Sequence, residues 1–240
     1  MIENLSIAYE NALQYSQAEE LSKRLNLPIN LSARNQLLVA SNGLSLKIAP
    51  FSAQQASFDF SYWQARKNEG KKQGLVRACK PQAGLRIIDA TAGWGRDAAV
   101  LASFGASVLM LERNPVIAVL LEDALMRRDQ GSENALQLSV LHCDAIHFLN
   151  ELKEEQYPDI IYIDPMHPVR QKTALVKKDL QVLQQLIGSD YDANQLLQIA
   201  RKRARNKVVV KWPQSLPPLF PANSNIPGKT IRFDVYLPVP

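Results

Sequence analysis

Cysteine is scarce in this chain of 240 residues: there are two, Cys79 and Cys143, far apart and in no CxxC pair. That count speaks against a disulfide framework or a thiolate zinc site, and both thiols are expected to be reduced, in or near a core. The three histidines, His142, His147 and His167, show no metal-ligand spacing, so no metal is expected. No apolar run approaches the roughly 18–20 residues that a membrane helix needs. The opening stretch, MIENLSIAYENALQYSQAEE, carries acids where a secretion signal is basic, and it has no long apolar segment. There is no internal repeat and no low-complexity tract. These absences together point to a cytoplasmic protein that does not associate with membranes.

What is present is an ordinary soluble composition, 46% apolar and 21% charged. The length suits one domain of moderate size with a small extra lobe. The net charge of +5 is modest, but its distribution is uneven. RKNEGKKQGLVRACK, residues 66–80, carries six Lys/Arg against one Glu, and RKRARNK, residues 201–207, carries five. Each run reads either as a solvated face or as a set of phosphate contacts.

Residues 1–65 read as a small N-terminal α/β lobe. AEELSKRLNLP suits a short helix stopped by Pro28, QLLVASNGLSLKI suits two strands joined at Asn42-Gly43, and ASFDFSYW alternates like a further strand. Residues 66–84 read as a basic connecting segment, a loop leading into a helix at Leu75–Cys79. From residue 85 to 240 the pattern is regular. The strands are LRIIDA, SVLMLER, LQLSVLHCD, PDIIYIDP, KVVVKW and KTIRFDVYLP. Helices fall at RDAAVLASFG, PVIAVLLEDALMRRD and AIHFLNELK, near 172–187 and near 192–204. Alternation of strands with helices predicts a doubly wound, mostly parallel sheet. The last two strands have no helix between them, so one of them is expected to run antiparallel.

Ligands in such sheets bind beyond the carboxyl ends of the strands. Four of those ends are acidic here: Asp89, Glu112, Asp144 and Asp164. Asp89 opens DATAGWGRDAAVLASFG, in which Gly93 and Gly95 let the backbone turn tightly against a ligand. Glu112 lies twenty-three residues past Asp89, where a carboxylate accepts ribose hydroxyls. Asp144 is placed to accept an adenine amine. Gly93 to Ala98 also fits the dinucleotide pattern G-x-G-x-x-A, so a nicotinamide oxidoreductase is the rival reading. Against it, Arg96-Asp97 sets a carboxylate where a pyrophosphate needs bare amides. An acid there suits an ammonium group, such as that of S-adenosylmethionine (SAM). The bland alternatives are that Asp89 caps the turn and Asp97 charges the helix start.

IDPMHP, residues 163–168, resembles the (N/D)-P-P-(Y/F/W/H) motif of amino-group methyltransferases. An exocyclic base amine is a poor nucleophile because its lone pair is delocalised. Asp164 and the Pro165 carbonyl would accept its N–H bonds, and His167 would either stack on the base or do nothing. Read together, DATAGWGRDA, LERNPV, DPMHP, ALVKK, VVVKWP and RFDVY, spread over roughly residues 55–237, resemble the bacterial small-subunit ribosomal RNA methyltransferase J family.

That resemblance implies a class I SAM-dependent methyltransferase fold and transfer of a methyl group from SAM to the N2 amine of a guanine in 16S ribosomal RNA. It implies cofactor contacts at Arg96, Asp97, Glu112, Arg113, Asp144 and Ala145, with Asp164 between cofactor and amine. It gives the basic residues a purpose: Lys71, Lys72, Lys177, Lys178 and Lys211 would grip RNA phosphates, on naked RNA or on the small subunit. The chain departs from the family pattern at His167, where the family has Phe, at Asp144-Ala145, where it has small hydroxyl residues, and at Trp212, where it has Arg. The other readings are an amino-methyltransferase for a different base or for DNA, the oxidoreductase, and an RNA-binding protein that kept the fold without the chemistry.

Overall fold

The computed structural model describes residues 4–166, 181, 182, 186 and 192–240. Its residues group into two units, each built from three chain segments. One comprises Met1–Ser57, Asn114–Arg127 and Met166–Ser189, the other Phe58–Arg113, Arg128–Pro165 and Asp190–Pro240.

In the first unit β1 (Leu5–Tyr9) pairs parallel to β2 (Asn35–Ala40), and β2 pairs antiparallel to β3 (Gly43–Lys47) through the expected Asn42-Gly43 hairpin. The helix expected before Pro28 is α1 (Tyr15–Leu25). The inward residues Ile7, Leu37, Val39 and Leu46 are wholly buried. This unit also contains α5 (Pro115–Met126), capped by Asn114, whose Oδ1 accepts from the amides of Val116 (2.9 Å) and Ile117 (3.2 Å). Pro115 occupies the first turn, where its missing N–H costs nothing. Two polar links tie α5 into the unit. The Leu44 amide and Arg127 Nε both donate to Asp123 Oδ2, at 3.0 and 2.7 Å, and Arg24 grips Glu122 with two bonds of 2.6 and 2.7 Å.

The second unit holds a seven-stranded sheet. Its strands are β4 (Arg86–Asp89), β5 (Ser107–Glu112), β6 (Leu138–His142), β7 (Ile160–Ile163), β8 (Lys207–Pro213), β9 (Ser224–Ile226) and β10 (Ile231–Tyr236), in the spatial order β6-β5-β4-β7-β8-β10-β9. From β6 to β8 all neighbours are parallel, and β10 is antiparallel to both β8 and β9. The chain thus steps outward from β4 to β5 and β6, then returns to place β7 on the other side of β4. That reversal opens a crevice at the carboxyl ends of β4 and β7. β7 is buried at every residue and β4 from Ile87 to Asp89, because helices cover a parallel sheet on both faces. The helices here are α2 (Phe60–Glu69), α3 (Gly74–Cys79), α4 (Arg96–Ala102), α6 (Gln130–Ala135), α7 (Ala145–Glu151) and α8 (Ala193–Arg203). Ile161, Val208, Val210, Leu149, Leu197, Ala200 and Tyr236 form a fully buried core on one face.

Several expectations need correction. ASFDFSYW is not a strand: from Phe60 it is the start of α2. The alternation of aromatics misled, because Phe60 and Tyr62 are 49% and 56% exposed while Phe58 and Trp63 are buried. Burial at 58 and 63 is not the spacing of two that a strand face requires. The turn is instead fixed by Asp129 Oδ2, which accepts the Phe60 amide at 2.8 Å, and by the Trp63 indole, which donates to Ser132 Oγ at 3.1 Å. The basic run at 66–80 begins as helix and not as loop, since Arg66–Glu69 finish α2 and a tight turn follows at Gly70–Lys72; the helix expected at Leu75–Cys79 is α3, which starts one residue earlier at Gly74. β1, α6 and β9 were not expected. The helix expected near 172–187 lies mostly outside the described residues. Cys79 is buried and Cys143 partly so, both as free thiols.

Ile161 is fully buried in β7, its Cα in register with Ile88 and Val208. Ile161→Ala is expected to cost about 2–5 kcal/mol through lost burial and the cavity left behind. A denaturant midpoint within error of wild type, with unchanged m-value, would show that this strand is not the packing centre.

Candidate active site

Three acidic residues stand along the carboxyl edge beside the β4–β7 crevice, and a fourth faces them from the helix that follows β4. Asp89 ends β4 and is 1% exposed. Its Oδ1 accepts the Thr91 amide at 3.2 Å. Burial is the main force pushing its carboxyl up, to about 8, against that hydrogen bond and with help from the charges of Asp97, Asp164 and Glu112. The backbone then turns through Gly93 (φ 53°) and Gly95 (φ 70°), conformations that side chains disfavour. Glu112, the buried end of β5, accepts the Gly93 amide at 3.0 Å. The Gly95 amide is spent on the Ala92 carbonyl at 2.8 Å. The turn therefore does not present the row of unpaired N–H groups that a dinucleotide pyrophosphate requires.

Asp97, in the first turn of α4, is held from three directions. Arg66 Nη2 lies 2.8 Å from its Oδ1, while the Tyr162 hydroxyl donates to Oδ2 at 2.6 Å and Lys211 Nζ lies 3.2 Å from the same oxygen. Burial opposes its charge, but Lys211 and Arg66 outweigh that and hold the carboxyl well below the usual range. Lys211 also reaches Asp164 Oδ2 at 2.6 Å. Its ammonium thus bridges two carboxylates, and they raise its pKa despite burial. Asp164 follows β7, and its amide donates to Thr91 Oγ1 at 2.6 Å, which fixes the start of the loop against the β4 turn. Burial raises the Asp164 carboxyl, Lys211 lowers it and Asp97 raises it again. Its side chain stays one-third exposed, so the group is accessible to a ligand.

The other expected residues are placed as follows. Arg96 is exposed at the start of α4, and its carbonyl accepts from Arg66 Nη1 at 3.3 Å. Arg113 is exposed after β5 and pairs with Asp192 at 3.0 Å. Asp144 caps α7, its Oδ1 accepting the His147 amide at 2.9 Å, and Ala145 is buried beside it. Pro165 is buried. Lys71 and Lys72 lie in the turn after α2, where Lys72 is exposed. Lys211 is not a surface lysine free for phosphates, because its ammonium is spent on Asp97 and Asp164. His167, Lys177 and Lys178 lie outside the described residues. RKRARNK spans the end of α8 and the start of β8, at the sheet edge opposite the acids, and Lys207 there donates to the Ala78 carbonyl at 2.6 Å.

Arg66 and Tyr162 were missed. Arg66 sat in a charge run that reads equally as a solvated face. Tyr162 sat in IIYI, which reads as pure core, and only the fold shows its hydroxyl turned to Asp97.

The residues present fit SAM. A sulfonium and an ammonium are cations, and the crevice concentrates four carboxylates, one of them buried enough to resist ionisation. The amides of Gly93 and Gly95, in contrast, are already spent. A mostly parallel sheet with an acidic turn after its first strand and Asp-Pro after its fourth agrees with one class, the SAM-dependent methyltransferases, and that family's model matches residues 20–238. A crystal structure of a SAM-dependent methyltransferase from Neisseria gonorrhoeae superposes with a TM-score of 0.76 at 28% identity, covering 97% of this chain and 96% of that one. A protein of Legionella pneumophila (strain Corby) named ribosomal RNA small subunit methyltransferase J is 54% identical over 97% of this chain and 96% of its own length. One of the same name from Coxiella burnetii (strain Dugway 5J108-111) is 42% identical over 99% and 98%. The chain belongs to the ribosomal RNA small subunit methyltransferase J family.

A carboxyl whose folded pKa of about 8 lies above its unfolded value supports the fold fully below the unfolded pKa. That support is lost as pH rises through 8. Asp89→Asn keeps an oxygen for the Thr91 amide and removes the titration. The melting temperature of the variant minus that of wild type should therefore climb between pH 5 and pH 9. A difference that stays flat over this range would mean that Asp89 does not titrate there.

Proposed function

We propose that this protein transfers the methyl group of SAM to the exocyclic N2 amine of a guanine in 16S ribosomal RNA, acting in the cytoplasm on free RNA or on the small subunit. The observation that carries the reading is Asp164. It is a carboxylate anchored by its own amide to the β4 turn, held on one oxygen by Lys211, and still exposed at the crevice. The names of the relatives from Legionella and Coxiella supply the ribosomal substrate.

SAM, when bound, supplies an activated methyl carbon on a positively charged sulfur. The residues proposed to hold it are Asp89, Gly93, Gly95, Arg96, Asp97, Glu112, Arg113, Asp144 and Ala145. Among these, Glu112 already gives one oxygen to the turn, and Asp97 is already matched by two protein cations. Asp97 therefore serves the cofactor chiefly through the potential it helps set and by fixing Lys211.

Asp164 accepts an N–H of the guanine amine, and the Pro165 carbonyl accepts another. Two acceptors orient the group and keep its lone pair directed at the methyl carbon. Positioning of this kind supplies much of the rate in an in-line transfer. As the new C–N bond forms, the methyl carbon's bond to sulfur breaks with its electron pair left on a neutral thioether, and the nitrogen sheds a proton to Asp164 or to water. Lys211 is a positioning residue: without it Asp97 and Asp164 face each other with no cation between them. His167 is proposed to stack on the base, and Lys71, Lys72, Lys177 and Lys178 to hold phosphates. A duplex hides the guanine amine, so the base must come from a loop or be flipped out.

The test is methyl transfer from radiolabelled SAM to small-subunit particles and to free 16S RNA, followed by nucleoside analysis. N2-methylguanosine is the expected product. Asp164→Ala should lower the rate by about 10²-fold or more while SAM binding by calorimetry persists. A different methylated nucleoside, or full activity in the Asp164 variant, would overturn the assignment.

A further inference from the structure

The Pro-rich segment between β8 and β10 covers a cleft of about 380 Å³ that the chemistry above does not use. At its base lies an ion pair that is almost completely buried. Arg232 is 7% exposed and Asp234 1%, and Arg232 Nε meets Asp234 Oδ1 at 2.7 Å. Arg232 Nη1 ties down the segment by donating to the carbonyls of Pro213, Gln214 and Leu216, at 2.9, 3.1 and 2.8 Å. Two atoms of the pair are left over. Arg232 Nη2 and Asp234 Oδ2 are buried and find no hydrogen-bond partner among the described residues. Both residues line the cleft, together with Gln214 and Asn225 and with the apolar surfaces of Leu216 and Pro218. An orphaned donor and an orphaned acceptor in one buried pair are costly unless something pairs with them.

The lining indicates what that something is. The guanidinium is already neutralised by Asp234, and the spare carboxylate oxygen repels an anion, so the cleft does not suit a phosphate. Its lining residues carry a buried donor and a buried acceptor without partners, two amides on the rim and apolar walls. A flat group with hydrogen-bonding edges and two apolar faces meets those terms, and an unpaired nucleobase is such a group. A volume of this size leaves room for a purine.

The position agrees. β10 starts where β8 ends, with Arg232 opposite Trp212 and Phe233 opposite Lys211. The cleft therefore lies at the same carboxyl edge as Asp164. Successive side chains of a strand point to opposite faces. Lys211 points to Asp97 and Asp164, whereas Trp212 joins the core that contains Leu196 and Leu197 of α8. Arg232 and Asp234 share that second side, so the cleft is not the place of the reacting amine. RNA laid across this edge meets both.

We propose that the Arg232–Asp234 cleft binds a purine base of the RNA adjacent to the guanine that is methylated. The proposal rests on the functional reading above and adds a second base subsite to it. The test compares wild type with Leu216→Trp, which fills the cleft while both residues of the ion pair are kept. A gentler variant, combining Gln214→Ala with Asn225→Ala, alters only exposed rim residues. Initial rates of methyl transfer are measured against RNA concentration, with SAM affinity and circular dichroism as controls. Leu216→Trp is expected to raise KM for RNA at least about fivefold, the range of a lost base-stacking contact, with SAM affinity unchanged. The double variant should raise it less. Calorimetric titration with guanosine and with adenosine identifies the purine, as the one whose binding Leu216→Trp abolishes. If wild type methylates RNA while both variants keep its KM, or if purine binding is the same in wild type and Leu216→Trp, the subsite is overturned. If wild type methylates no RNA, it is the functional reading that fails.

Discussion

Lys211 holds together two carboxylates that would otherwise repel one another. One ammonium at 2.6 Å from Asp164 and 3.2 Å from Asp97 lets the β4–β7 crevice hold several carboxyl groups at close quarters. The remaining polar contacts follow from that choice. Arg66 answers the second oxygen of Asp97, and Tyr162 gives it a hydrogen bond from within the core. With Asp97 so firmly ionised, Asp89 and Asp164 feel its charge, and burial drives both toward the neutral form. The crevice thus has a reserve of acidity that a cationic guest would draw out.

The arrangement also explains why this turn differs from the glycine-rich turns that bind pyrophosphates. Both use glycine to bring the backbone close to a ligand. In a phosphate-binding turn the amides point outward, and the helix end adds positive potential. Here the Gly93 amide is committed to Glu112, and an acid stands in the first turn of α4. The polarity of the pocket has been inverted while the backbone path stays similar. A pattern of glycines alone cannot separate the two, whereas the side chains around it can.

What could be read from the sequence was what depends on neighbours along the chain. Strand β4, its turn and α4 were legible because an apolar run, two glycines and a helix-forming stretch occur in immediate succession. The antiparallel last strand was legible because no helix intervenes after KVVVKW. The strand-end acids were found by their place in that succession. What could not be read depends on contacts across the fold. Arg66 precedes Asp97 by thirty-one positions, in a run whose charge says nothing of what it faces. Lys211 looked like a phosphate grip for the same reason: a lysine declares its charge but not its partner. Phe60 and Tyr62 looked like a strand face because alternation of aromatics is a local signal, and the decisive contact, Asp129 on the Phe60 amide, comes from far along the chain. Asp144 illustrates a residue with two roles available, and one of them, capping α7, is visible in the fold.

α5 has a consequence for how the chain can be taken apart. The polypeptide leaves the second unit after Arg113, a residue beside the crevice, builds a helix that Asp123 and Glu122 fasten to the N-terminal strands and α1, and returns at Arg128. The two units are therefore interleaved in the backbone and cannot be separated by a single cut. Cleavage near residue 57 would separate α5 from the strand that donates to Asp123 and from the arginine that grips Glu122. The N-terminal strands are thus not a detachable appendage, because a chain shortened to begin there would keep α5 and lose the partners of Asp123 and Glu122.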